Sequence, residues 1–260
     1  MSRPVLWEQH GHIGYIRLNR PEALNAINYD MLDALGEIVE TIGQNPRDIR
    51  VVILGGEGRA FCSGADLKER IMLSEQQVRR NVQKIRKVFS LLERLPQPTI
   101  AAINGYAFGG GMELALCCDF RYSIREAKMG LTEASLGIIP GAGGTQRLPR
   151  LIGASKAKEL ILTARKISAD QAFEIGLLNG VADDREQLKE MSEGLAAEIL
   201  ANAPLAVYQA KAAIDKGINT DLATGMDLEF KAYEATIATK DRLEALEAFR
   251  EKRSPRFTGE

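Results

Sequence analysis

The chain has 260 residues, of which 45% are hydrophobic and 27% charged. This composition is typical of a globular protein with one or two domains, and it excludes intrinsic disorder and a collagen-like repeat. The 34 basic residues nearly balance the 35 acidic ones, leaving a formal net charge of -1, so the overall charge gives no reason to expect nucleic acid or an anionic membrane as the main partner.

The cysteine content and the N-terminal residues indicate the compartment. Residues 1–21 lack the apolar segment of a secretory signal, and no apolar run reaches the roughly 18 residues that a membrane-spanning helix needs. The three cysteines are an odd number and two of them are adjacent, so a disulfide framework is not expected. We therefore expect a cytoplasmic protein. With only two histidines, His10 and His12, the sequence offers no histidine-rich metal site and no Cys/His nucleophile pair.

The predicted elements alternate between strands and helices in the first half of the chain. Residues 11–21 alternate as a strand, residues 30–46 have apolar side chains at helical spacing, and residues 50–58 form a short apolar strand ending in glycines. A long amphipathic helix is predicted at 74–95 and a further buried strand at 98–107. The apolar stripe of that helix comprises Val78, Val82, Ile85, Val88, Phe89 and Leu92. This order predicts an α/β architecture in which helices pack on sheets.

The pattern changes in the second half of the chain. From about residue 154 the sequence is mainly helical, with one short apolar piece at 176–183, and it ends in a charged helix at 239–253. Such helices need a surface on which to pack, either the core of the same chain or another subunit. Apolar positions of the last helix would be exposed in a monomer, namely Leu243, Leu246 and Phe249.

A run of three glycines, 109–111, separates a predicted strand from an apolar helix. Backbone N–H groups in such a turn can face a ligand with no Cβ in the way, and the helix N-terminus adds a positive dipole end. Close packing of the strand against the helix is the alternative explanation. The spacing fits neither a nucleotide P-loop nor a dinucleotide fingerprint. A second glycine-bearing loop at 56–69 could supply another N–H group, and two converging donors would form an oxyanion hole.

Two glutamates stand beside glycine-rich segments. Glu113 lies in the first turn after the glycines, and Glu133 follows a strand-like piece and precedes a second glycine-rich loop. Each has a simpler explanation, Glu113 as compensation of the helix dipole and Glu133 as a helix-start carboxylate after Thr132. As a pair next to apolar segments, they suit general acid–base chemistry on a water and a carbon acid.

Four segments together resemble the enoyl-CoA hydratase/isomerase (crotonase) family. They are AFCSGADLKE at 60–69, AAINGYAFGGGMELALCCD at 101–119, MGLTEASLGIIPGAGGTQRLPRLIG at 129–153 and DRLEALEAFREKRSPRF at 241–257. Their order and spacing match the family over nearly the whole chain. Within the family, GADLKER at 64–70 and EKRSPRFTGE at 251–260 look most like the methylglutaconyl-CoA hydratase branch, some of whose members also bind AU-rich RNA.

The resemblance implies a fold and a reaction. The fold is α/β and crotonase-like, a spiral of ββα units followed by C-terminal helices that form a trimer, often paired into a hexamer. We therefore expect a spiral core at 1–195 and a helical trimerisation region at 196–260. The implied reaction is hydration of a 2-enoyl-CoA thioester, with 3-methylglutaconyl-CoA as a candidate substrate and enoyl-CoA isomerase as the alternative activity. Coenzyme A belongs to the substrate, and the resemblance implies neither a further cofactor nor a metal.

Carried over residue by residue, the resemblance also implies a site. The backbone N–H groups of Ser63 and Gly110 would form the oxyanion hole, and Glu113 and Glu133 would be the catalytic glutamates, with Glu113 activating the water and Glu133 supplying the α-proton. The expected substrate and CoA contacts are Ser63, Gly64, Ala65, Asp66, Leu67, Lys68 and Gly110. Lys68 or Lys252 are candidates for phosphate contacts, although exposed lysines are usually solvated. The acyl pocket is expected to use parts of 70–82 and 136–142.

An RNA-binding protein is the alternative from a different class. The predicted helix at 74–95 is basic, with Arg79, Arg80, Lys84, Arg86 and Lys87. A charge run on a helix is more often a solvated face, and no aromatic residues are interleaved for base stacking. The sequence therefore favours an enzyme with an acyl-CoA substrate, assembled as a homotrimer or homohexamer and not bound to a membrane.

Overall fold

The computed structural model describes residues 3–260, and its strands form two sheets. The strands in this range are β1 (Val5–His10), β2 (Ile13–Leu18), β3 (Val51–Gly56), β4 (Ala60–Cys62), β5 (Thr99–Ile103), β6 (Tyr106–Phe108), β7 (Phe120–Ile124), β8 (Lys128–Gly130), β9 (Ile167–Ser168) and β10 (Gly180–Ala182). The helices are α1 (Tyr29–Gln44), α2 (Leu67–Ile71), α3 (Glu75–Glu93), α4 (Gly110–Ala115), α5 (Gly144–Ile152), α6 (Ala154–Leu162), α7 (Ala169–Glu174), α8 (Arg185–Leu200), α9 (Pro204–Gly217), α10 (Leu222–Ile237) and α11 (Lys240–Glu251), with 3-10 turns at Pro21–Ala23 and Glu133–Leu136.

The chain winds between the two sheets. The larger sheet has six strands in the order β1-β2-β3-β5-β7-β10, and the smaller has four in the order β4-β6-β8-β9. Only β1 with β2 and β8 with β9 pair antiparallel in the described sheets. Three successive strand pairs, β3 and β4, β5 and β6, and β7 and β8, each place the first strand in the larger sheet and the second in the smaller. This repetition confirms the predicted α/β spiral.

Helices cover both faces of the larger sheet. This explains why the sequence of β3 is continuously apolar. Val52 and Leu54 point into the main core, whereas Val51 and Ile53 pack with Ala196 of α8 on the other face. A strand buried on both faces has no solvent-facing positions to make polar.

Local caps begin the two long helices that were predicted. Asn28 accepts a hydrogen bond from the Met31 N–H at the start of α1. Ser74 and Gln77 form a reciprocal capping box at the start of α3. The inner face of α3 is buried from Ile85 onward, while Val82 is only half-buried.

The segment predicted as one strand at 98–107 is divided into β5 and β6. The Asn104 side chain accepts from the Gly56 N–H and donates to the Gly58 carbonyl. A Cβ at Gly105 would overlap the Arg59 carbonyl group. These tertiary contacts turn the chain from the larger sheet into the smaller one.

The expected boundary between residues 195 and 196 falls inside α8. Ala196 is fully buried against the larger sheet, so α8 belongs to the core and the C-terminal helical layer begins with α9. Lys211 of α9 anchors this layer, because its Nζ donates to Asp119 Oδ2 at 2.6 Å and to the Gln97 carbonyl at 3.1 Å.

The last two helices leave apolar side chains exposed in the single chain. Leu243, Leu246 and Phe249 are 59%, 58% and 86% exposed, as the sequence predicted for a monomer. Within residues 3–260, no helix combines the length and the apolar character needed to span a membrane.

Candidate active site

A pocket of about 230 Å³ lies where α3, the start of α4, the loop after β4 and the segment 132–142 meet. Its wall is mostly apolar, with Val82 and Ile85 from α3 opposite Leu136, Ile138 and Ile139. Glu113 and Glu133 both line it. The fold therefore brings the two predicted glutamates to one cavity, together with parts of the two segments expected to form an acyl pocket.

The three glycines at the start of α4 have different roles. Gly109 has φ +51°, and a Cβ there would lie 3.3 Å from Glu133 Oε1. Gly110 lines the pocket, and a Cβ at this position would make only ordinary contacts. Gly111 faces away, where a Cβ would overlap the Cys62 carbonyl group of β4. Close packing therefore explains Gly111, while Gly109 and Gly110 border the pocket, where their N–H groups were predicted to face a ligand.

The loop after β4 does not present the N–H group that the sequence analysis chose. The Ser63 N–H already donates to the Leu24 carbonyl at 3.0 Å, so the expectation that it donates to a ligand is wrong. Gly64 has φ +100° and interrupts the extended chain. Beyond it, the Asp66 N–H donates to the Ile27 carbonyl at 2.9 Å, which leaves the intervening N–H group of Ala65 for the pocket.

Ala65 and Gly110 are the donors that the geometry supports. Within residues 3–260, no acceptor is hydrogen-bonded to either N–H group. Both residues line the pocket, and the Ala65 nitrogen lies 3.7 Å from the position that a Cβ on Gly110 would occupy. Two open N–H groups this close together can bind one oxygen atom that carries negative charge.

Glu113 is buried and held by the loop that precedes α5. Its Oε1 accepts from the Ala142 N–H and the Gly144 N–H, both at 2.8 Å. In the described chain its Oε2 has no hydrogen-bond partner. Burial raises the pKa of Glu113, and the two N–H groups together with the Arg147 cation oppose that effect.

Glu133 begins the 3-10 turn after β8 and has a different environment. Its Oε2 is buried and has no protein partner within the described residues. Burial, followed by the charge of Glu113, raises the pKa of Glu133 from 4.5 to about 7. Near neutral pH the pocket therefore contains one carboxyl group that readily carries a proton beside one whose Oε1 is held by two backbone N–H groups.

The expected CoA contacts are only partly brought together. Ser63, Gly64, Ala65, Leu67 and Gly110 line the pocket, whereas Asp66, Lys68 and Lys252 do not. The Asp66 carboxylate instead caps α2 by accepting from the Lys68 and Glu69 N–H groups, and it forms an ion pair with Arg20 at 3.0 Å. Its pKa is lowered because these bonds outweigh the effect of burial.

The pocket also contains two cations that were not singled out from the sequence, Arg70, at the start of the expected segment 70–82, and Lys166. Arg70 has no hydrogen-bond or ion-pair partner for its guanidinium among residues 3–260. The Lys166 Nζ lies 4.9 Å above the Phe108 ring. Arg70 was visible inside GADLKER, but a charged residue on a short helix is normally solvated; Lys166 is far from the motifs in sequence, and only the fold brings it there. The described residues contain no group of three or more His, Cys, Asp or Glu side chains placed to hold a metal.

Comparison with known proteins gives similarity along almost the full chain. The sequence model of one family, described as enoyl-CoA hydratase/isomerase, matches residues 8–260. The Bacillus subtilis protein YngF, provisionally named an enoyl-CoA hydratase/isomerase, is 56% identical over 249 residues, covering 95% of each chain. Mitochondrial methylglutaconyl-CoA hydratase of Mus musculus is 45% identical over 259 residues, covering 98% of this chain and 82% of the relative. The crystal structure of an enoyl-CoA hydratase from Bacillus anthracis has a TM-score of 0.96 and 50% identity, covering 99% of this chain and 100% of that one.

Proposed function

The chain belongs to the enoyl-CoA hydratase/isomerase family, and we propose that it is a hydratase that adds water across the 2,3 double bond of an enoyl-CoA thioester. One observation carries this proposal. Two buried glutamates face the same pocket, one held by two backbone N–H groups and the other left with an unpartnered oxygen and a raised pKa. Holding and activating a water molecule requires such a pair.

Polarisation of the thioester is assigned to the Ala65 and Gly110 N–H groups. Addition of hydroxide to the β-carbon moves negative charge onto the thioester oxygen as an enolate. Two N–H groups fixed by the backbone stabilise that charge without having to reorient during the reaction. Ala65 thus replaces Ser63 in the proposed oxyanion hole.

The proton transfers follow from the different surroundings of the two glutamates. Glu113, whose Oε1 is bound to Ala142 and Gly144, has Oε2 free to accept a proton from the water. Glu133, with a pKa of about 7, can carry the proton that is delivered to the α-carbon. The hydroxyl joins the β-carbon, the proton joins the α-carbon, and the two glutamates exchange their protonation states. Each step uses groups of this chain, so we propose no cofactor beyond the CoA of the substrate.

Replacing each glutamate by glutamine tests the paired mechanism. We expect Glu113→Gln and Glu133→Gln each to lower kcat for crotonyl-CoA hydration by about a hundredfold or more. KM should change little, because the loops and not the carboxyl groups bind the thioester. Hydration by Glu113→Gln at close to the wild-type rate would show that the paired mechanism is wrong.

The same variants separate a hydratase from an isomerase. An isomerase needs one carboxyl group to move a proton between two carbons and does not need to hold a water. With a 3-enoyl-CoA as substrate, an isomerase would tolerate Glu113→Gln but not Glu133→Gln. Wild-type conversion of the 3-enoyl-CoA faster than hydration of the 2-enoyl-CoA would replace the proposed activity with the isomerase.

The guanidinium of Arg70 supports a substrate with a second carboxylate. Arg70 lines a mostly apolar pocket, and it lies close enough to Glu133 to lower the pKa of that carboxyl group in opposition to burial. A cation without a protein partner favours an anionic group on the ligand. This observation, with the similarity to the mouse methylglutaconyl-CoA hydratase, supports 3-methylglutaconyl-CoA as the proposed substrate.

Substrate choice is tested with Arg70→Met and the charge-retaining control Arg70→Lys. We expect Arg70→Met to lower kcat/KM for 3-methylglutaconyl-CoA by about tenfold or more while crotonyl-CoA is affected much less, since removal of a carboxylate partner costs about 1.5–3 kcal/mol. Arg70→Lys should retain part of the preference. Equal effects on both substrates would show that Arg70 does not select the acyl group.

RNA binding, the alternative drawn from the sequence, has no support in the comparisons. On α3, Lys84 is paired with Asp33 and lies 4.4 Å above the Tyr29 ring, so at least this member of the basic run has partners within the chain.

A further inference from the structure

Arg147 of α5 lies behind the loop that holds Glu113. Its Nε and Nη2 donate to the two carboxylate oxygens of Glu93, both at 2.6 Å. Its Nη1 donates to the Ala142 carbonyl at 2.7 Å. A bidentate ion pair with a third bond fixes the plane of the guanidinium.

The Ala142 carbonyl belongs to the residue whose N–H holds Glu113. Arg147 therefore fixes one side of Ala142, and the other side donates to Glu113 Oε1. The loop has a conformation suited to this contact. Gly143 has φ +108°, and a Cβ there would overlap the Arg147 guanidinium, so glycine lets the arginine reach the Ala142 carbonyl.

Glu93 connects this arrangement to the pocket wall. It is the last residue of α3, the helix whose Val82 and Ile85 line the pocket. The pair of Glu93 and Arg147 therefore links the helix on one side of the pocket to the loop on the other. Of Glu93, Arg147 and Ala142, only Ala142 lines the pocket, and the other two lie outside it.

We propose that Arg147, oriented by Glu93, is a positioning residue for the hydration reaction, which fixes the 142–144 loop so that Glu113 Oε1 stays bound and Oε2 faces the water. This inference rests on the proposed hydratase function. A purely structural ion pair would stabilise the fold and leave the reaction unchanged.

The charges around Glu113 make the proposal measurable. Glu133 faces it from the turn after β8, Arg147 from α5 and the buried Cys117 thiol from the end of its own helix. Glu93 lies behind Arg147, and Arg70 acts on Glu133 from α2. Arg147 is the cation that lowers the pKa of Glu113. Removing it should therefore move the ionisation of Glu113 to higher pH.

The kinetic test uses Arg147→Met, Arg147→Lys and Glu93→Gln, with crotonyl-CoA as substrate over roughly pH 5 to pH 9. We expect Arg147→Met to lower kcat by about tenfold or more, because a misplaced catalytic group is costly, with KM changed less than about threefold. The acid limb of the profile should move to higher pH. Glu93→Gln should lower kcat by a smaller factor, without the upward shift of the acid limb because the Arg147 cation remains. Arg147→Lys should keep the acid limb closer to the wild type than it keeps kcat.

Lys211→Met is the matched control. It removes a buried partner of Asp119 in the C-terminal layer, outside the pocket. It should lower thermal stability while kcat and the acid limb stay as in the wild type. If Arg147→Met and Glu93→Gln behave like this control, the ion pair is structural and the proposal is wrong. If Arg147→Met does not fold, Glu93→Gln and Arg147→Lys decide by the same criteria.

A measurement without turnover separates this inference from the proposed function. The protein labelled with ¹³C at the glutamate carboxyl carbons is titrated by NMR, and the Glu113 signal is assigned from its loss in Glu113→Gln. An upward shift of the Glu113 pKa by about 0.5 or more in Arg147→Met supports the positioning role. No shift overturns it. Absence of hydratase activity in the wild type would overturn the proposed function, whereas the NMR titration would still show whether Arg147 controls the ionisation of Glu113.

Discussion

The raised pKa of Glu133 makes the free energy of unfolding depend on pH. Its pKa is raised from 4.5 to about 7 by burial and by Glu113, so the folded chain holds this proton more tightly than the unfolded chain. The contribution to stability is fully present below about pH 4.5 and is lost as the pH rises through 7. At higher pH, the folded protein contains a buried carboxylate oxygen without a protein partner among the described residues.

Glu133→Gln should therefore stabilise the protein in a pH-dependent way. At pH 8 we expect the free energy of unfolding to rise by about 1–2 kcal/mol relative to the wild type, because glutamine cannot ionise. At pH 4 the two proteins should have nearly equal stability. Urea unfolding at both pH values measures the difference. An identical effect at the two pH values would contradict the raised pKa.

Gly110 provides a residue-scale test of the proposed oxyanion hole. Gly110→Pro removes the N–H group at the first position of α4, where proline is tolerated, and should lower kcat/KM by about a hundredfold or more. The matched control is Gly110→Ala, which keeps the N–H group and whose Cβ would meet Ile27 Cδ1 at 3.6 Å. It should retain at least about tenfold more activity than the proline variant. Circular dichroism checks that both variants fold; full activity in folded Gly110→Pro would contradict the role.

The sequence located residues of the pocket where a motif names a side chain, and it chose the wrong N–H group where the direction of the backbone decides. Glu113 and Glu133 were found from the sequence and line one pocket. Ser63 was chosen instead of Ala65 because the sequence does not show the φ of +100° at Gly64 or the bond from Ser63 to Leu24. Those contacts depend on which segment lies beside the loop.

At the scale of elements, Gly111 allows α4 to pack closely on β4. We expect Gly111→Ala to lower the free energy of unfolding by about 2 kcal/mol or more, because a Cβ would overlap the carbonyl of Cys62 and strand backbone cannot move cheaply. Gly110→Ala, one residue away, should have much less effect. Urea unfolding of the two variants provides the comparison. Equal stability of both would show that the helix can shift to accept the extra methyl group.

The elements that could be predicted are those defined by local signals. The helices at 30–46 and 74–95 correspond to α1 and α3, whose caps at Asn28 and Ser74 lie in the adjacent sequence. The division between β5 and β6 could not be predicted, because it depends on bonds from Asn104 to the loop after β3. The expected boundary at 195 falls inside α8, because periodicity does not show that this helix continues to 200 and packs on the larger sheet.

At the scale of the whole molecule, the C-terminal helices indicate self-association. Phe230 and Tyr233 of α10 are each 63% exposed, and Phe249 of α11 is 86% exposed in the single chain. Large apolar side chains exposed on neighbouring segments of the chain often mark an interface. We expect a trimer or hexamer of this chain.

Light scattering at micromolar concentration measures the assembly, and the mass separates a trimer from a hexamer. Phe249→Glu should weaken it, because a charged side chain would be placed in the contact. Lys252→Glu, at the solvated end of the same helix, is the control and should leave the mass unchanged. A monomeric wild type would contradict the proposed assembly.

Buried cysteines at the contact between β4 and α4 make it possible to measure how fast that contact opens. Cys62 ends β4, Cys117 and Cys118 follow α4, and all three thiols are buried. Burial raises the pKa of Cys62 and Cys118 to about 12. A thiol-selective chromogenic reagent attacks only accessible thiolates, so colour should develop in the native protein no faster than this junction separates from the sheet. The rate at which colour develops would then measure how fast β4 and α4 separate, using only cysteines that the chain already contains.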